Sequence, residues 1–166
     1  MQRNWILAAS ALALVAACNV VSLTGDGMTA FEGPGYSPSA GLTAEPADGE
    51  HFVLAATHLE LADGADDLFA ERADGVQAVL DADPPGLVGY AVRKNFFTRD
   101  GYYTMSVWES EEAMYGFVAT DAHVAAMSDV DRIGGGRVTH WNVTASELPP
   151  QWDPTIARLM KSDEAY

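Results

Sequence analysis

The chain has 166 residues, with 24 acidic against 9 basic side chains and a net charge of −15. That balance argues against nucleic acid as a ligand, since such binding rests on neutralising phosphates with Lys and Arg. It argues equally against a polybasic contact with a membrane surface. Cys18 is the only cysteine, so no internal disulfide can form and stability must rest on a hydrophobic core.

The first segment is built for export. Arg3 supplies one positive charge, and Trp5 to Ala17 is apolar except for Ser10. This run is too short for a bilayer, which takes about 20 residues, and fits the apolar core of a secretory signal. It ends in Val15-Ala16-Ala17-Cys18, which resembles the lipobox of bacterial lipoproteins. The resemblance implies cleavage before Cys18, a thioether-linked lipid on it, and acylation of the new amine. More than one acyl chain is needed because a single chain gives only marginal membrane binding. The alternative is a plain signal peptide with an incidental cysteine, since Val15 and Ala17 also suit an ordinary cleavage site. Residues 1–17 are thus expected to be a lipoprotein signal peptide. The exported chain is expected on the periplasmic or cell-surface side of a bacterial membrane, and Asn19 rather than Asp after Cys18 favours the outer one.

Residues 18–50 read as the lipidated cysteine and a flexible tether. Gly25, Gly27, Gly33, Pro34, Gly35, Pro38, Gly41 and Pro46 leave no helical or strand period. A domain is expected over 51–146. Phe52 to Leu61 reads as a strand. Ala65 to Leu80 has the 3.6-residue apolar spacing of a helix, weakened at Gly75 by about 1 kcal/mol relative to Ala. Pro84-Pro85-Gly86 stops it. Leu87 to Phe97 and Tyr102 to Glu109 read as strands joined at Asp100-Gly101, a hairpin turn signal. Ser110 caps a helix to about Val118, with Glu111 and Glu112 in its positively polarised first turn. A shorter helix covers Thr120 to Met127, Gly134-Gly135-Gly136 reads as a turn, and Arg137 to Thr144 as a last strand. Residues 147–166 form an extension with a short helix from Pro154 to Met160.

The order is β-α-β-β-α-β, the ferredoxin-like arrangement, an α+β fold with both helices on one face of an antiparallel sheet. The strands carry apolar residues on both faces, which predicts a partner sheet and hence a homodimer.

Tyr103 to Met114 (YTMSVWESEEAM), followed by Phe117 and His123, resembles the antibiotic biosynthesis monooxygenase-like (ABM) families of the dimeric α/β-barrel superfamily. The shared pattern is a strand ending in Trp-Glu-Ser, a helix with Glu-Ala, an aromatic residue, and a histidine about 15 residues after the Trp. The resemblance implies the same fold and a monooxygenase-like activity on a small aromatic or quinol substrate without a dedicated cofactor. The superfamily also holds haem-degrading and haem-binding members, and fold cannot choose among them. The haem-degrading branch uses Asn, Trp and His where this chain has Thr57, Phe117 and Met127.

His123 is the candidate catalytic base, since a neutral imidazole can take a phenolic proton; a local packing role is its alternative. Trp108 and Phe117 are candidate walls for a flat apolar ligand, though aromatics at such spacing are more often core. Met127 and Thr57 are further candidate binding residues: Met127 could ligate haem iron and Thr57 could donate a hydrogen bond. A non-catalytic lipoprotein holding haem or another apolar ligand is the alternative function, and a structural or partner-binding module a third. His58 and His140 lie on neighbouring strands and could approach, but no spacing completes a metal-ligand set, so no metal is expected.

Overall fold

A computed structural model describes residues 27–94 and 101–165. The signal segment, Cys18, Phe96, Phe97 and Asp100 lie outside the described residues. The main sheet has four strands: β3 (His51–Leu61), β4 (Leu87–Lys94), β5 (Tyr102–Trp108) and β6 (Gly134–Thr144). Their order is β4-β5-β3-β6 and every pairing is antiparallel. Helix α1 (Asp66–Asp81) connects β3 to β4. Helices α2 (Glu111–Val118), α3 (Asp121–Ser128) and α4 (Val130–Ile133) connect β5 to β6. This is the expected ferredoxin-like α+β fold.

At the Val53–Trp108 end the two central strands are buried on both faces because each face has its own cover. Val53, Trp108 and Leu87 point towards the helices and pack with Met114 of α2, Leu80 of α1 and Phe117. Phe52, Leu54, Ala56, Met105, Val107 and Val143 point the other way. Ser110 caps α2 as expected, accepting from the Ala113 amide at 3.2 Å. Helix α1 lies against α3, where the side-chain-free Gly75 faces the Ala122 methyl. Asp129, just after α3, accepts from Arg72 Nε of α1 at 2.9 Å and from Arg132 at 2.7 Å, which ties the helical layer together.

Two expectations are corrected. The segment to residue 50 is not a flexible tether throughout, because residues 27–43 dock on the sheet. The Thr29 amide donates to the Val92 carbonyl at 2.9 Å, the Tyr90 amide to Glu32 at 2.9 Å, and the Lys94 amide to Gly27 at 2.8 Å. The arm thus runs as an extra edge beside β4, then turns through the short strands β1 (Tyr36–Ser37) and β2 (Gly41–Leu42), which pair with each other. Two of its glycines are there for closeness: a Cβ on Gly33 would lie 2.5 Å from Gly89 Cα, and one on Gly35 2.8 Å from Val88 Cα. Phe31 and Tyr36 of the arm are buried in the core, ring against ring. The second correction is at Gly134-Gly135-Gly136, which opens β6 instead of forming a turn. Gly134 pairs with Leu61 at the far end of β3, and a Cβ there would run into the Glu60 carbonyl.

The apolar second face, expected to require a partner sheet, is covered from within the chain. Helix α5 (Trp152–Leu159) lays an i, i+3, i+7 stripe on it: Trp152, Thr155 and Leu159. Leu159 is 1% exposed, and Arg158 stacks over the Trp141 ring at 4.5 Å.

Candidate functional site

Strand alternation and the β3–β5 register place Trp108, Ser106 and Thr104 on the helix side of the sheet with Val53, Ala55 and Thr57. Trp108 is fully buried, and its indole N–H donates to Ser106 Oγ at 2.9 Å. Phe117, on the last turn of α2, stacks on Trp108 with centroids 5.1 Å apart. His123, in the first turn of α3, meets the Phe117 ring edge-on at 5.1 Å and 71°. The turn between the two helices is held by Thr120 Oγ1, which donates to the Phe117 carbonyl at 2.8 Å. Thr120 therefore fixes the turn without capping α3 through its side chain.

Three of the expected site residues thus form one row, Trp108–Phe117–His123. Within it Trp108 backs Phe117 and does not line open space, because none of its surface is exposed. His123 Nδ1 is buried with no hydrogen-bond partner. Burial pushes the His123 pKa below its ordinary value, since the imidazolium would be the costlier form to desolvate. At neutral pH the ring is therefore uncharged, and in its Nε2–H tautomer Nδ1 is an acceptor without a donor.

The other two expected residues stand apart. Thr57 lies four positions along β3 from Val53, the register partner of Trp108, a separation of about 13 Å at strand rise. Its hydroxyl meets that of Thr104 at 2.6 Å, and Thr104 is exposed. A hydroxyl pair open to solvent at the centre of the sheet means the helices do not seal this stretch. Consistent with that, neither α1 nor α3 has a fully buried residue. Met127 is 41% exposed on α3, outside the aromatic row.

Between the row and the threonine pair lie groups that sequence reasoning did not place. The Tyr90 hydroxyl donates to Asp81 of α1 at 2.7 Å. Burial first, and then that hydrogen bond, raise the Tyr90 pKa, so the phenol stays protonated. His140 stands opposite Ala55 on the same face, with Nε2 4.0 Å from Glu111 and its ring edge-on to Tyr115 at 6.2 Å. Counting alternate residues from Trp108 would have put Ser106 on this face, but nothing in the sequence fixes the register that brings in His140.

That register also separates the two strand histidines. His58 pairs with Arg137, while His140 pairs with Ala55. Their side chains therefore occupy opposite faces, and the expected approach is corrected. His58 is buried on the second face, stacked on Tyr103 at 4.4 Å. It borders a cleft of about 600 Å³ with Glu60, Asp131, Arg137 and Met160. Among the described residues no three His, Cys, Asp or Glu side chains gather in a way that could hold a metal ion.

No curated protein matches the chain by sequence. Among solved structures, a protein of unknown function from Bacteroides thetaiotaomicron, described as a possible oxidoreductase, is 10% identical with a TM-score of 0.50. The match covers 57% of this chain and 100% of that one. A candidate monooxygenase from Fusobacterium nucleatum is 11% identical, also with a TM-score of 0.50, covering 58% of this chain and 44% of that one. At these identities the likeness concerns the fold. The sequence from β3 through the end of α3, which carries the whole Trp108–Phe117–His123 row, matches the family model of the antibiotic biosynthesis monooxygenase domain over residues 52–129.

Proposed function

We propose that the domain is a monooxygenase-like enzyme that deprotonates a small phenolic or quinol substrate at His123 for reaction with molecular oxygen, without a dedicated cofactor. The observation that carries this is the buried, partnerless Nδ1 of an uncharged imidazole beside an aromatic ring. A buried acceptor without a donor costs stability, of order 1–3 kcal/mol. A ligand hydroxyl supplies the missing donor, and its proton passes to Nδ1. Phe117 gives the substrate ring an apolar face, and Trp108 holds Phe117 in place from behind. The partly open stretch of sheet towards Thr57 and Thr104 offers room and two hydroxyls for a ring oxygen. The match to a monooxygenase domain supports the same reading.

The reading includes the location proposed from the lipobox: an exported domain anchored through lipid on Cys18. The deciding experiment is oxygen uptake by the purified domain with a panel of hydroquinones. Turnover that disappears in His123→Leu supports the assignment. A protein that consumes no oxygen but holds added haem with a stable Soret band overturns it in favour of a binding role.

A further inference from the structure

We propose that this chain is a self-capped monomer, in which its own two terminal extensions occupy the places where a second copy's sheet would pair. A four-stranded open sheet offers three routes to self-association: two strand edges and the face without helices. Each is closed here by the arm, by the C-terminal segment, or by both together.

The β4 edge is taken by the arm. The Tyr90 and Lys94 amides bond to Glu32 and Gly27, and the Val92 amide bonds to Thr29 Oγ1 at 2.8 Å. In return the arm's Thr29 and Gly35 amides bond to Val92 and Val88. The β6 edge is met by the C-terminal segment, where the Val138 amide donates to Glu164 at 3.2 Å and Arg137 bridges to Ala165. Ser162 pins that segment twice more, through its hydroxyl to the Val138 carbonyl at 3.0 Å and through its carbonyl to the Arg137 guanidinium. The second face is filled by Phe31 and Tyr36 from the arm and by Leu159 from α5, each at most 9% exposed.

A second copy could reach the face only by expelling these side chains. The cover also shares one apolar cluster with Leu54, Met105 and Val107 of the central strands. It is therefore part of the core, where removing a large apolar side chain leaves a cavity and destabilises the fold. With a net charge of −15, repulsion between copies acts in the same direction.

The test uses the chain from residue 19 onward, which keeps every described element. Sedimentation over a hundredfold concentration range, up to about 100 μM, should give the mass of one chain throughout. In the same sample the Tyr90, Val92 and Lys94 amides should exchange at least about 100-fold more slowly than unprotected ones. Deleting residues 19–43 should remove that protection and produce concentration-dependent association. A dimer of the intact chain at micromolar concentration overturns the proposal, as does fast exchange of the three amides in a monomer. The outcome is independent of the function proposed above, since no step of this test reads turnover.

Discussion

The imidazole of His123 stands edge-on to Phe117 with its Nδ1 buried and unpaired, so the α2–α3 turn holds one polar atom at a cost to folding. Replacing it with Leu should separate stability from activity. His123→Leu removes an unsatisfied acceptor, and unfolding free energy should stay level or rise by about 1 kcal/mol in urea titration. Oxygen uptake should fall to background. A variant that loses both would mean that the imidazole supports the fold through some other contact.

The same residue sets a pH dependence whose sign follows from its lowered pKa. The unfolded chain takes up the His123 proton near pH 6.5, while the folded chain takes it up only at lower pH. Between those two values the unfolded state binds more protons, so stability falls as pH drops. It levels off below the folded pKa and is full above about 6.5. Comparing denaturation midpoints of the parent chain and His123→Leu from pH 7.5 to 4.5 should show a gap that changes within that window. Parallel curves would refute the assignment.

Gly75 is a place where the fold leaves stability unused. It sits in the middle of α1, and a Cβ added there would lie 3.9 Å from the Ala122 methyl, an ordinary contact. Gly75→Ala should stabilise the domain by about 1 kcal/mol through helix propensity. Thermal unfolding would show a higher midpoint, whereas a lower one would mean that α1 and α3 pack more tightly than these distances allow.

Gly89 is the opposite case. A Cβ there would fall 2.9 Å from the Glu32 carbonyl oxygen and 3.0 Å from the Phe31 ring. Gly89→Val should push the arm off β4 and destabilise the domain by about 1–3 kcal/mol, as overpacking does. Proteolysis should then cut within residues 27–43 much faster than in the parent chain. Equal cutting rates would show that the arm yields without detaching.

For the proposed anchor, the full chain expressed in a bacterium should partition with membranes. Cys18→Ser should be released or left unprocessed. Identical partitioning of the two forms would count against lipidation.

The four main strands and the helices α1 to α3 were legible because hydrophobic periodicity and turn residues act locally: Ser110, the proline pair at 84–85 and the alternation along 52–61 each carry their own signal. The arm was not legible. Its glycines and prolines look like a linker by composition, yet Gly33 and Gly89 allow two backbones to touch, and only the tertiary partner distinguishes the two uses. The terminal cover hid for a related reason. Apolar residues on both faces of a strand show that a second layer exists without showing which chain supplies it. In the candidate site, the motif pointed to Trp108, Phe117 and His123 as a group, and the structure sets them side by side, Trp108 stacked on Phe117 and His123 edge-on to it. It did not reveal that Trp108 is sealed off, or that a one-residue difference in parity divides His58 from His140.

The docking of Gly27 beside Lys94 also shortens the leash on the proposed anchor. Residues 18–27, fully extended, reach about 30 Å, roughly the diameter of a small domain. A thirty-residue tether would have let the domain explore a wide volume above the lipid. With residues 27–43 committed to the sheet, an anchored copy stays within about one domain width of the bilayer. Under the proposed activity, a substrate would be met within that distance of the lipid.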